Sequence, residues 1–170
     1  SGGVEDRGGG NAFNAPAPAG FHDEELNWVL DHFIIPFLAE FRPQAIVVTC
    51  GADALAGDPL SKLALSNVGL QGAVMRLVRQ TPRAVILGGG GYNPWTTVRC
   101  WVGLWGKLCG LKPPVDLPEN VRRVLSGFEC DLVDEDEVRS EWMTTLDDEP
   151  NDAPVRESVK SVTRALRRAA

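Results

Sequence analysis

Two residues able to do chemistry, Asp53 and Tyr92, each stand just past a short apolar run. The first run, Ala45-Ile46-Val47-Val48, leads into Thr49-Cys50-Gly51-Ala52-Asp53-Ala54-Leu55-Ala56-Gly57-Asp58-Pro59. The second, Ala84-Val85-Ile86-Leu87, ends in Gly88-Gly89-Gly90-Gly91-Tyr92-Asn93. Runs of this length, bounded by glycine, read as buried strands closing in tight loops. Ligand chemistry in open α/β sheets gathers at that edge, so a carboxylate and a phenol are brought toward one crevice. Asp53 has two readings that spacing alone leaves open: a turn cap or a carboxylate ligand to a metal. Tyr92 is the single tyrosine of the chain. A lone aromatic after a strand is ordinarily packing, but the glycines before it let backbones approach closely and set the ring at the sheet edge.

Other chemistries fit less well. A glycine loop between strand and helix can cradle phosphate, but Asn93 stands where a dinucleotide fingerprint needs its third glycine, and no Lys-Ser/Thr follows for a P-loop. His22 and His32 fall at the start and middle of one helical pattern and read as structural or solvent-facing side chains. Cys50, Cys100, Cys109 and Cys130 form no C-x-x-C pair. Cys50 and Cys100 lie in apolar sequence, as buried free thiols do in a reducing compartment.

The elements that hold Asp53 and Tyr92 follow from periodicity. Asp23 reads as a helix N-cap, followed by apolar residues Leu26, Val29, Leu30, Phe33, Phe37, Leu38 and Phe41 at helical steps. Pro36 should kink that helix or end it early. Ser66 or Asn67 starts a second helix, with Val68, Ala73, Val74, Leu77 and Val78 inward and a stop at Thr81-Pro82. Asn93-Pro94 starts a third, cap then proline, with Val98, Trp101, Val102, Trp105 and Leu108 as its apolar face. Trp28, Trp95, Trp101 and Trp105 read as core. Helix, strand, helix, strand, helix is the order of a parallel sheet covered by helices. Before it, residues 1–20 are loop with one short extended piece, Ala12–Ala15. Beyond a proline-rich break at 112–116 an acidic stretch (Asp131, Asp134, Glu135, Asp136, Glu137) reads as peripheral helix and loop. A final helix begins near Ala153.

Composition sets limits. With 170 residues, 44% of them apolar, the chain can bury one sizeable core. A net charge of -6 without a basic stripe argues against nucleic acid as partner. The basic residues Arg156, Lys160, Arg164, Arg167 and Arg168 read as a solvated helix face. No apolar stretch approaches the length of a membrane span, and no signal peptide is evident.

Gly51-Ala52-Asp53, Gly57-Asp58-Pro59 and the glycine run before Tyr92, in this order and spacing, resemble the zinc-dependent histone deacetylase family. The likeness leans toward the bacterial branch that includes the acetoin utilization proteins and runs from about Asn14 to Gly110. It implies an α/β fold, the three-layer parallel sheet of the arginase/deacetylase fold, and its C-terminal part only. Residues 1–112 would be the C-terminal portion of the deacetylase domain, and residues 113–170 an acidic peripheral segment and C-terminal helix of the same domain. The resemblance makes Asp53 a Zn2+ ligand and Tyr92 the hydroxyl that stabilises the oxyanion of the reacting amide. Leu60 would line the rim that grips the acetyl-lysine stem, Gly89 and Gly90 would form tunnel wall, and Asp58 would tie down its loop through backbone hydrogen bonds. The family's Asp-x-His pair and tandem His-His have no counterpart here. The remaining zinc ligands are therefore expected upstream, in a missing N-terminal half, and the chain alone is expected to be inactive and poorly stable. The implied activity is hydrolysis of acetylated lysine in protein substrates, in the cytoplasm. Two alternatives stay open: a non-catalytic remnant or interaction module, and an amidohydrolase of acetylpolyamines or other small amides.

Overall fold

The computed structural model describes residues 2–170; Ser1, the start of the expected N-terminal loop, lies outside them. Helix α1 (Asp23–Val29) runs through a π-helical turn (Leu30–Ile34) into α2 (Ile35–Phe41). Strand β1 (Ile46–Thr49), α3 (Asn67–Val78), β2 (Ala84–Leu87) and α4 (Pro94–Leu108) follow. Beyond them come α5 (Glu119–Leu125), α6 (Glu141–Thr144) and α7 (Glu157–Ala169). The strands pair in parallel, Ile46 opposite Ala84 and Thr49 opposite Leu87, with α3 as the crossover. Parallel pairing brings both strand ends to one edge, as the sequence requires of Asp53 and Tyr92.

One face of the sheet is covered. Val48 and Cys50 pack there with Val74 of α3 and Leu104 of α4. Val47, Val85 and Leu87 alternate to the other face and are exposed, so the described residues build only one helix layer on the sheet. A second core joins Phe21, Val29, Ala52, Leu55, Leu65, Cys100 and Val159. A third joins Trp95 to Leu117, Leu125, Val133, Trp142 and Leu146, so the segment after α4 is packed onto the site helix. Among the described residues, no helix is long and apolar enough to cross a membrane.

Several local expectations are corrected. Asp23 is the first helical residue and does not cap the helix. Its carboxylate is buried and accepts from Ser66 N (2.8 Å), Ser66 Oγ (2.6 Å) and Asn151 N (2.8 Å). Three donors from two distant segments satisfy a buried anion better than one local cap. Of the two outcomes expected at Pro36, an early end to the helix is not seen, because the π-turn precedes it. Ile35 N donates to Leu30 O, five residues back, and the wider winding relieves the clash of the proline ring with the carbonyl of residue 32. Ala12–Ala15 joins no sheet, as expected of loop, and Phe13 packs on Phe33 and Phe37, at ring distances of 5.4 and 5.1 Å. Helix α4 is rotated from its predicted face. Trp95, Thr96, Arg99, Cys100, Gly103 and Leu104 are buried, while Val102 is exposed and Trp105 is 68% exposed. Two polar positions explain the rotation. Arg99 is buried because it reaches Asp148 (2.8 Å) and Thr145 O (2.7 Å). Gly103 lets Gln71 of α3 cross close enough to bond Cys100 O at 3.0 Å.

The basic C-terminal helix buries Val159, Thr163 and Leu166 and leaves Arg164, Arg167 and Arg168 exposed as expected, but Arg156 and Lys160 depart from a solvated face: both are partly buried, Lys160 over the Trp28 ring. Arg156, just before it, makes a two-pronged pair with the buried Glu25 of α1, at 2.7 and 2.6 Å. That pair anchors α7 to α1.

Candidate active site

Asp53 sits in a 3₁₀ turn (Ala52–Ala54) one step beyond β1. The turn is tied to the second strand end by Ala52 N donating to Gly90 O at 2.7 Å. The two loops touch backbone to backbone. A Cβ on Gly89 would lie 2.9 Å from Gly51 Cα and 3.0 Å from Gly51 N, closer than side chains pack. A Cβ on Gly90 would overlap the Asp53 carboxylate itself. The glycine run is thus the floor against which Asp53 rests.

Among the described residues, no hydrogen bond engages the Asp53 carboxylate. It is half-buried against glycine backbone with its lone pairs uncommitted. Those lone pairs fit an oxygen ligand to a divalent ion better than a turn cap, which would be bonded to nearby N–H groups. The described residues contain no cluster of three or more His, Cys, Asp or Glu able to hold a metal.

Tyr92 is 44% exposed and opens on a shallow cavity lined by Pro94, Thr97, Trp101, Phe128 and Cys130. Its backbone N donates to Asp58 Oδ2 at 2.8 Å. The other oxygen of that carboxylate accepts from Leu60 N at 3.0 Å. Asp58 therefore ties down its loop through backbone hydrogen bonds and also carries the start of the next. Leu60 is 63% exposed, which suits a rim and not a core position. Asn93 is buried and serves two ends: its Oδ1 accepts from Trp95 N and Thr96 N, capping α4, and its Nδ2 donates to Gly57 O at 2.9 Å. The capping half is legible from Asn-Pro. The crosslink to Gly57 leaves no local signal, because its partner stands 36 residues away.

Of the other reactive groups, Cys130 lines the cavity beside Tyr92, its Sγ 3.6 Å from Tyr92 O, whereas the buried cysteines and the histidines stay out of the site. Burial raises the Cys50 thiol and pushes Cys100 up to about 12, which makes both poor nucleophiles. His32 stacks on Trp28 at 3.6 Å, and His22 is buried with Nε2 3.6 Å from Glu25. Neither histidine joins Asp53, in line with the structural role expected of them.

Comparisons with known proteins agree with this geometry. The histone deacetylase domain model matches residues 1–108. Histone deacetylase 8 of Danio rerio is 32% identical over 109 residues, covering 64% of this chain and 29% of that protein. Histone deacetylase 9 of Arabidopsis thaliana is 34% identical over 109 residues, covering 64% of this chain and 26% of that one. The crystal structure of an HDAC homolog complexed with SAHA superposes with a TM-score of 0.84 at 31% identity, over 95% of this chain and 44% of the other. An HDAC homolog from Aquifex aeolicus gives the same TM-score at 30% identity. The class of fold is that of the deacetylases, a mixed helix and parallel-sheet α/β architecture. This chain belongs to the histone deacetylase family, and it spans under a third of the curated relatives cited and 44% of the solved homolog.

Proposed function

We propose that this chain supplies the Asp53–Tyr92 edge of a zinc-dependent deacetylase site that hydrolyses the amide of acetylated lysine in protein substrates. The observation that carries the reading is the unengaged carboxylate of Asp53 resting on the glycine run that leads to Tyr92. Asp53 would hold zinc as an anionic oxygen ligand, alongside ligands from sequence upstream of the matched residues. Zinc, when bound, supplies Lewis-acid chemistry toward the amide carbonyl. The Tyr92 hydroxyl donates a hydrogen bond to the carbonyl oxygen as negative charge develops on it. Leu60 lines the rim where the lysine stem enters, and Gly89 and Gly90 leave room for it. Residues 1–112 form the C-terminal portion of the catalytic domain, and residues 113–170 its peripheral buttress. The enzyme is of the acetoin utilization type and acts in the cytoplasm.

The test uses a protein that carries this chain together with the upstream ligands. Asp53→Asn is expected to lose zinc, because a neutral ligand replaces an anionic one. Tyr92→Phe is expected to keep zinc and to lose turnover of an acetyl-lysine peptide by about a hundredfold or more. Full turnover by zinc-loaded Tyr92→Phe refutes the role of Tyr92. A strong preference for acetylpolyamines over acetyl-lysine peptides refutes the substrate.

A further inference from the structure

Asp58 is the group on which the backbones of both exposed side chains of the site depend. It is 6% exposed. No cation pairs with it among the described residues; its two oxygens are instead divided between two backbone amides, Tyr92 N at 2.8 Å and Leu60 N at 3.0 Å. Each bond joins a charged acceptor to an N–H, the stronger class of hydrogen bond. One amide belongs to the loop after β2, the other to the loop after β1. A single rigid carboxylate therefore fixes the spacing between the backbone that carries the phenol and the backbone that carries the rim leucine. The Asn93 Nδ2 to Gly57 O bond closes a second link between the same loops, one residue further along on one side and one residue earlier on the other.

We infer that Asp58 is a positioning residue, setting the phenol of Tyr92 and the rim at Leu60 in register through their backbone amides. The kinetic part of this inference rests on the role proposed above for Tyr92; the geometric part does not. Among the described residues no hydrogen bond holds the Tyr92 hydroxyl, and the side chain is 44% exposed, so the tie on its backbone bears directly on its placement. An ordinary buried loop carboxylate would bond amides of its own turn. Asp58 does so at Leu60 and also reaches 34 residues away.

The informative variant is Asp58→Asn, which keeps the volume but replaces one oxygen with an amino group that cannot accept. One of the two amides is then left facing a donor. Hydrogen exchange of this chain reads the geometry directly. The Tyr92 or the Leu60 amide is expected to exchange faster by on the order of tenfold or more, with the Val48 amide in the sheet unchanged. Asp58→Ala is expected to release both. Unchanged protection at both amides in Asp58→Asn overturns the clamp, whatever the fate of Tyr92→Phe.

In the protein that also carries the upstream ligands, Asp58→Asn is expected to lower kcat when the Tyr92 tie is lost and to raise KM when the Leu60 tie is lost. Added to Tyr92→Phe, it should lower kcat no further, since its effect on chemistry passes through the hydroxyl already removed. A kcat loss that multiplies with that of Tyr92→Phe overturns the inference. It would mean that Asp58 acts on the reaction by another route, or on the fold alone.

Discussion

Gly89→Ala and Gly88→Ala are adjacent substitutions of the same kind, and the structure assigns them opposite outcomes. A Cβ on Gly89 would sit 2.9 Å from Gly51 Cα and 3.0 Å from Gly51 N. Both are backbone atoms, so no side chain can rotate away. Relief requires the two strand-end loops to part by roughly half an ångström, against steep repulsion on one side and lost packing on the other. The Ala52 N to Gly90 O bond, 2.7 Å long, spans the gap that must open. Overpacking of this kind costs about 1–3 kcal/mol. A loss of about 2 kcal/mol lowers Tm by roughly 4–8 °C in a chain of this size. A Cβ on Gly88 would meet Trp101 Cζ2 at 3.5 Å, an ordinary contact. Gly88 also lies outside the left-handed region, so alanine there is expected to be neutral or stabilising by about 0.4–1 kcal/mol through the unfolded chain. Thermal unfolding of the three proteins by circular dichroism decides the matter. If Gly89→Ala melts within 1–2 °C or so of the parent, or both alanines cost the same, the close approach of the loops is not what demands glycine.

Three further outcomes are expected. Asn93→Ala is expected to lose about 1 kcal/mol from the α4 cap and about 1–3 kcal/mol from the stranded Gly57 carbonyl, whereas Asn93→Asp keeps the cap but sets a buried carboxylate oxygen against that carbonyl and loses at least the second part; urea titration of both variants checks this. Arg156 beside Glu25 holds that carboxyl below the usual carboxylate range, so the pair stabilises the fold above the unfolded value of about 4.3 and the benefit is lost as pH falls through the lower folded value. The fall of Tm on acidification should therefore be shallower in Glu25→Gln, and an identical slope in parent and variant would remove the pair from the acid response. The uncovered sheet face, Val47, Val85 and Leu87, is expected to bind a dye such as ANS, less so in Val85→Thr; absence of dye binding by the parent would mean that the face is covered in solution.

What could be read in the sequence was local. Both strands, the Ser66 cap and the Asn93-Pro94 start lie within a residue of their predicted places, because each rests on short apolar runs or on side chains that bond two or three residues onward. The edge that brings Asp53 and Tyr92 together follows from those runs plus parallel pairing. Apart from the local π-turn before Pro36, the failures involve partners far away in the chain. Asp23 looks like a cap until Ser66 and Asn151 claim its oxygens. Arg99 looks solvent-facing until Asp148 arrives, and its burial turns α4 so that Trp105 faces out. Glu25 and Arg156 stand 131 residues apart, beyond any spacing rule. Charge in a helix pattern reads as surface, whereas the buried charges Asp23, Glu25 and Arg99 bind distant segments together.

The two chemically interesting side chains have separate supports. Asp53 is set by contact with Gly51 and Gly90, a matter of backbone approach at the strand ends. Tyr92 is set by its amide on Asp58 and by the neighbouring Asn93, which holds Gly57. They meet in the stretch from Gly90 to Tyr92 and through the backbone of the first loop, where Asp58 N donates to Leu55 O at 3.2 Å and Leu55 N to Ala52 O at 3.1 Å; the Asp58 side chain takes part in neither of those two bonds. A change at Asp58 should therefore leave the Asp53 carboxylate where it is, and a change at Gly51 should disturb Asp53 while Tyr92 keeps its tie. That division suits a site in which one group must hold a ligand firmly and the other must meet a charge that appears only during reaction.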